Sequence, residues 1–122
     1  MTPGTVLWVA LGGAAGSVAR AFAGHALASR PLWATGAVNF AGSLLLGWLM
    51  ARLAGLEPAA AARTHAFLAV GFCGGFTTFS TFSWQTFDQM QKGQGSVAVA
   101  NMGLSVALCL AATWAGWKLG RT

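Results

Sequence analysis

Apolar residues fall in four long stretches separated by short polar connections: Thr5 to Gly24, Leu32 to Ala51, His65 to Phe87 and Ser96 to Trp117. Each is about 20 residues or slightly more, which at about 1.5 Å of rise per residue crosses about 30 Å of hydrocarbon as an α-helix. Arg20 is the one obligate charge within them. The remainder is three short connections and two tails, with no room for a separate soluble unit, so residues 1–122 read as a single four-span domain of an all-α membrane protein. Proline agrees with this map, because Pro3, Pro31 and Pro58 precede the first span, the second span and the third, and none interrupts one. Trp8, Trp33, Trp48, Trp114 and Trp117 lie near span ends, where an amphipathic indole favours the headgroup level; Trp84 is less clearly placed.

Composition sharpens the choice of solvent. With 56% hydrophobic and 7% charged residues, the chain lacks the polar side chains to coat a water-soluble globule. The net charge of +5 does not point to nucleic acid, since Arg20, Arg30, Arg52, Arg63, Lys92, Lys118 and Arg121 are spread singly rather than clustered on one basic face. Cys73 and Cys109 both lie in apolar runs and read as free packed thiols. The first apolar run lacks a basic n-region and a cleavage site, so it is expected to stay in the mature protein.

Four spans put both termini on one side. That side then carries Arg52, Arg63, Lys118 and Arg121, and the other carries Arg30, Lys92 and, depending on its depth, Arg20. So small a bias fixes orientation weakly. Two readings stay open: a single orientation with four cations inside, or dual topology, in which oppositely inserted copies pair about a two-fold axis in the membrane plane.

Polar and small residues recur at helical spacing: Gly12, Gly16 and Arg20; Asn39, Ser43 and Gly47; Asn101, Ser105 and Cys109. Glycine and serine at such positions let helices approach closely. Asn39 is different, because a mid-span carboxamide is costly unless partnered or solvated. The third span carries the strongest local signal, Gly71 to Ser83, GFCGGFTTFSTFS. Gly74 and Gly75 weaken the helix, and Thr77, Thr78, Ser80, Thr81 and Ser83 supply hydroxyls that compete with its backbone ladder. A broken helix is expected here, with an intact helix of back-bonded hydroxyls as the alternative. A break at membrane depth is tolerated only where the freed groups face a cavity or an ion.

Phe76, Phe79 and Phe82, three apart, are expected on one side of their helix. Rings in such a stripe are commonly core or lipid contacts. Beside hydroxyl and amide donors, however, their positive edges can solvate a small anion. Glu57 and Asp88 lie in a connection and at a span end, so the spans hold no carboxylate relay for proton coupling or cation passage. Passive passage of an anion is favoured. Arg20 either snorkels to the interface or raises the potential of a vestibule. A small dual-topology multidrug exporter would need an embedded carboxylate, a non-transporting assembly partner would use the glycine stripes as dimer faces, and an enzyme would need a base–nucleophile pair that is absent.

These residues resemble the small fluoride channels called Fluc or CrcB over nearly the whole chain. The matching stretches are GGAAGSVAR (Gly12 to Arg20), TGAVNFAGSLLLG (Thr35 to Gly47), GFCGGFTTFSTFS (Gly71 to Ser83) and the Asn101–Ser105 pair. The resemblance implies a fluoride-selective channel giving passive export from the cytoplasm, working as an antiparallel dual-topology homodimer with two pores in a bacterial plasma (inner) membrane. It also implies a structural sodium ion (Na+) at the dimer centre, held by the backbone carbonyls of Gly74 and Thr77. Phe79 and Phe82 would be the pore phenylalanines, Asn39 a pore amide donor, and Asn101 with Ser105 a polar track. Thr78, Ser80 and Thr81 would add donors near the break, and Arg20 would be the vestibule charge. Two positions depart from the family: Gln85 stands where it often has Glu, and Phe76 where it usually has Leu.

Overall fold

A computed structural model describes Met1 to Thr122 as helices joined by short turns. The first span is α1 (Pro3–Ala26) and the second α2 (Pro31–Leu53). The third, Pro58–Gln91, is composite: α3 (Pro58–Thr64), a π-helical segment (His65–Cys73), the three-residue α4 (Gly74–Phe76) and α5 (Phe79–Gln91). The fourth is α6 (Gly95–Gly120). All four spans are long and apolar enough to cross a bilayer. Each helical stretch runs beyond the apolar run that announces it, because polar residues at the ends sit in helical turns outside the hydrocarbon.

Each proline opens a helix, where a missing N–H costs nothing and a fixed φ suits the first turn. Pro58 thus begins α3, seven residues before the apolar run of the third span. The helix starts are capped by local side chains. Thr2 accepts from the Thr5 amide at 3.2 Å, and Glu57 accepts from the amides of Ala59 and Ala60 at 3.0 and 3.1 Å. Those two amides, aided by Arg63, hold the Glu57 carboxyl below its ordinary range. Gly93, the one residue at positive φ, makes the tight turn from α5 into α6.

Two helix pairs build the chain: α1 lies along the π-helical segment and α4, and α2 lies along α6. Both seams depend on backbone contact. A Cβ on Gly12 would collide with the Phe67 carbonyl, and one on Gly116 with the carbonyl of Leu44. In the π-helical segment, bonding from i to i+5 widens the turn, so Ala66 and Gly71, five apart, and Ala69 and Cys73, four apart, are all buried. The sequence reading did not foresee this segment.

At the ends of α2 and α6 cations lie over indoles. Arg52 sits 6.0 Å from the Trp48 ring, Lys118 5.7 Å from Trp114 and Arg121 4.4 Å from Trp117, which anchors one end of that pair at headgroup depth. At the opposite end Asp88 and Lys92 form the one ion pair, 2.6 Å apart. Trp84 is exposed. Both cysteines are free, Cys73 buried and Cys109 half-buried.

Candidate functional site

Thr77 and Thr78 are extended, with φ, ψ of −82°, 159° and −150°, 108°, between the helical residues Phe76 and Phe79. Leaving the helix at these two residues frees backbone groups that lipid cannot satisfy. Asn39, facing them from α2, takes two. Its Oδ1 accepts from the Thr78 amide at 2.7 Å and its Nδ2 donates to the Thr78 carbonyl at 3.1 Å. The Thr78 amide is thereby diverted from Gly74, the partner it would have in a continuous α-helix. The Thr77 carbonyl accepts no hydrogen bond from backbone or side chain. Thr77 itself bonds back to the Cys73 carbonyl through its amide at 3.0 Å and its hydroxyl at 2.8 Å.

Helix α5 restarts on a side-chain cap. The Thr78 hydroxyl accepts from the Thr81 amide at 3.2 Å and donates to the Thr81 hydroxyl at 3.0 Å, with Ser80 Oγ 3.4 Å away. Thr78 is buried, while Ser80 is exposed.

Three cavities surround this clamp. The first, about 460 Å³, is lined by Asn39, Ser43, Gly74, Thr77, Phe79 and Ser105 among others. The second, about 370 Å³, is lined by Arg20, Thr35, Thr78, Thr81 and Gln85, which gives Arg20 a polar cavity to face. A third, again about 460 Å³, lies between α2, α5 and α6, with Gln85, Gln89, Asn101 and Ser105 on its walls. The cavities share walls. Thr35 and Gln85 border the second and third, while Asn39, Phe82 and Ser105 border the third and first.

Of the residues given a site role from the sequence, all but Ser80 line one or another of these three cavities. The phenylalanine stripe divides. Phe79 and Phe82 pair at 5.7 Å between centroids, whereas Phe76 stacks on Phe72 at 5.6 Å. The two extended threonines reset the helical phase, so even spacing in sequence does not give one face. Gln85 donates to the Pro31 carbonyl at 3.3 Å, tying α5 to the start of α2. The pairing of Asn39 with Thr78 was not foreseen. Its signal was a mid-span carboxamide needing a partner opposite a segment losing its own.

A bundle of four membrane-length helices, with cavities lined by amides, hydroxyls and phenyl rings, defines a multi-pass membrane protein. The family described as CrcB-like protein, Camphor Resistance (CrcB) matches residues 7–117, and the chain belongs to that family. It is 46% identical over 128 residues to the fluoride-specific ion channel FluC of Geobacter sulfurreducens, covering 96% of this chain and 97% of the relative. The FluC of Rhodospirillum rubrum is 42% identical over 119 residues, 92% and 91% of the two chains. FluC 1 of Symbiobacterium thermophilum is 42% identical over 123 residues, 93% and 96%.

Proposed function

We propose that this chain is a fluoride-selective channel that lets fluoride leave the cytoplasm passively through a bacterial inner membrane. The observation that carries the reading is the set of cavities around the Asn39–Thr78 clamp, where amide and hydroxyl donors alternate with the rings of Phe79 and Phe82. Fluoride is small, strongly hydrated and a strong hydrogen-bond acceptor, so a narrow route must replace its water with many donors of moderate strength. Rings presented edge-on add positive potential without a fixed charge. Chloride is too large to be held equally well, and moderate donors let the ion leave again. Arg20 raises the potential in the second cavity, and no carboxylate faces any of the three.

The third span works as a broken helix in this reading, and the working unit is an antiparallel dual-topology homodimer. An orphaned carbonyl at Thr77, with Gly74 lining the same cavity, is the kind of hard oxygen donor that suits a sodium ion and supports this reading. Gly74 and Thr77 would hold such an ion through their carbonyls, and it would supply a fixed positive charge near the route. Phe79 and Phe82 with Asn39 present donors and ring edges to fluoride, while Asn101 and Ser105 continue the track along α6. The test is efflux from liposomes. Purified protein should dissipate a fluoride gradient without a pH gradient and leave chloride behind. Flux that requires a pH difference, or equal passage of chloride, would overturn the proposal.

A further inference from the structure

Gln89, in the last turn of α5, is only 7% exposed, and its Oε1 is fully occluded with no partner. Its amide nitrogen makes no hydrogen bond to the protein either. A desolvated carboxamide without a protein partner is uncommon and needs a reason, all the more so in a membrane helix, where leucine or methionine would fill the space at less cost. Gln89 lines the third cavity, and so do Asn101 and Ser105, one turn apart on α6. Those two side chains are likewise without a hydrogen-bond partner in the protein, whereas Asn39 and Gln85 on the same cavity are engaged with Thr78 and Pro31. Three unengaged polar groups, two carboxamides and one hydroxyl, thus converge from two helices on one cavity.

We infer that Gln89, Asn101 and Ser105 form a fluoride-binding position in the cavity between α2, α5 and α6, with Gln89 the residue that begins stripping the ion's water on the side of the α5–α6 turn. The inference rests on the proposed fluoride function and adds to it a pathway residue outside the Gly71 to Ser83 motif. The chemistry is donor substitution. The amide nitrogen of Gln89 has no partner in the protein, so its hydrogens are the donors that this position can offer an anion. Asn101 adds a second amide and Ser105 a hydroxyl on the wall of the same cavity, so an ion there meets donors from both α5 and α6. The site suits a small anion better than a cation, because no carboxylate lines the cavity. Gln85 borders both this cavity and the one facing Arg20, so an ion gathered near Arg20 has a polar wall to follow inward.

Gln89→Leu removes the donors with little change of volume, and Gln89→Met does so with an unbranched chain. Both should lower fluoride efflux from liposomes at least tenfold. Their melting temperature in fluoride-free detergent should equal or exceed that of the unaltered protein, since an unpartnered polar group has been removed. The rise of melting temperature with added sodium fluoride, at constant sodium, should shrink in both. Gln89→Glu, which places a carboxylate beside the route, should reduce flux at least as far. If the unaltered protein carries no fluoride, the function reading on which this rests is overturned. If it carries fluoride and both apolar variants match it, the assignment of Gln89 alone is overturned. Failure of both apolar variants to fold would show the carboxamide to be a structural requirement and would overturn it as well.

Discussion

In the proposed channel Asn39 would do two jobs that a single substitution can separate only in part. Its Oδ1 and one amide hydrogen are committed to the backbone of Thr78, which leaves its second amide hydrogen for the cavity. The rings of Phe79 and Phe82 are better probes, since neither makes a polar bond that holds the fold. Phe79 is the more exposed at 77%, as a ring facing a route or a second copy would be. Replacing either ring by an aliphatic side chain keeps hydrophobic volume and removes the positive edge. Phe79→Ile and Phe82→Ile should therefore each cut fluoride efflux by about tenfold, roughly 1.4 kcal/mol in barrier terms, with gel-filtration behaviour unchanged. Unchanged flux in both would remove the ring-edge argument.

At the level of elements, the helix seams are set by small residues and the cavities by what those seams leave open. Gly116 brings the backbone of α6 against that of α2 at Leu44, and this pair frames two of the three cavities. Gly116→Val forces the helices apart, and overpacking of this kind costs about 1–3 kcal/mol. The melting temperature in detergent should drop while fluoride flux falls with it; a variant as stable as the parent would show that the seam tolerates a side chain. Gly12, Gly16 and Gly47 were readable at helical spacing because close approach demands small residues, whereas Gly116 was not, and Ser43 and Ser105 line a cavity instead. The π-helical segment was not readable. His65 to Cys73 carries no residue that dictates i to i+5 bonding, and its wider turn matters only through the face it lays on α1.

For the whole molecule, orientation is governed by charges at the two ends. One end presents Arg52, Lys118 and Arg121 stacked over tryptophans, and the other presents the neutralised Asp88–Lys92 pair with Arg30. In an antiparallel pair each membrane face would receive one end of each kind. Adding three lysines to the Arg30 connection should bias insertion to one orientation and abolish flux. Coexpression with a copy biased the opposite way, by lysines in the connection around Glu57, should restore it. Full activity from one locked form by itself would overturn antiparallel assembly.

The amino-acid sequence alone determined the four membrane spans, their prolines and interfacial tryptophans, the Gly12–Gly16 seam and a set of candidate residues for an anion. These follow from local rules: hydrophobic length against bilayer thickness, helical period, and the lack of any embedded carboxylate. Tertiary structure decided which of those residues meet. Asn39 and Thr78 are 39 residues apart in the chain, and only the packing of α2 against the third span makes one complete the other's backbone bonds. The separation of Phe76 from Phe79 and Phe82, and the unpaired carboxamide of Gln89, follow from the same cause. Two residues outside helical geometry rotate everything after them, and no periodicity counted along the sequence carries through such a step.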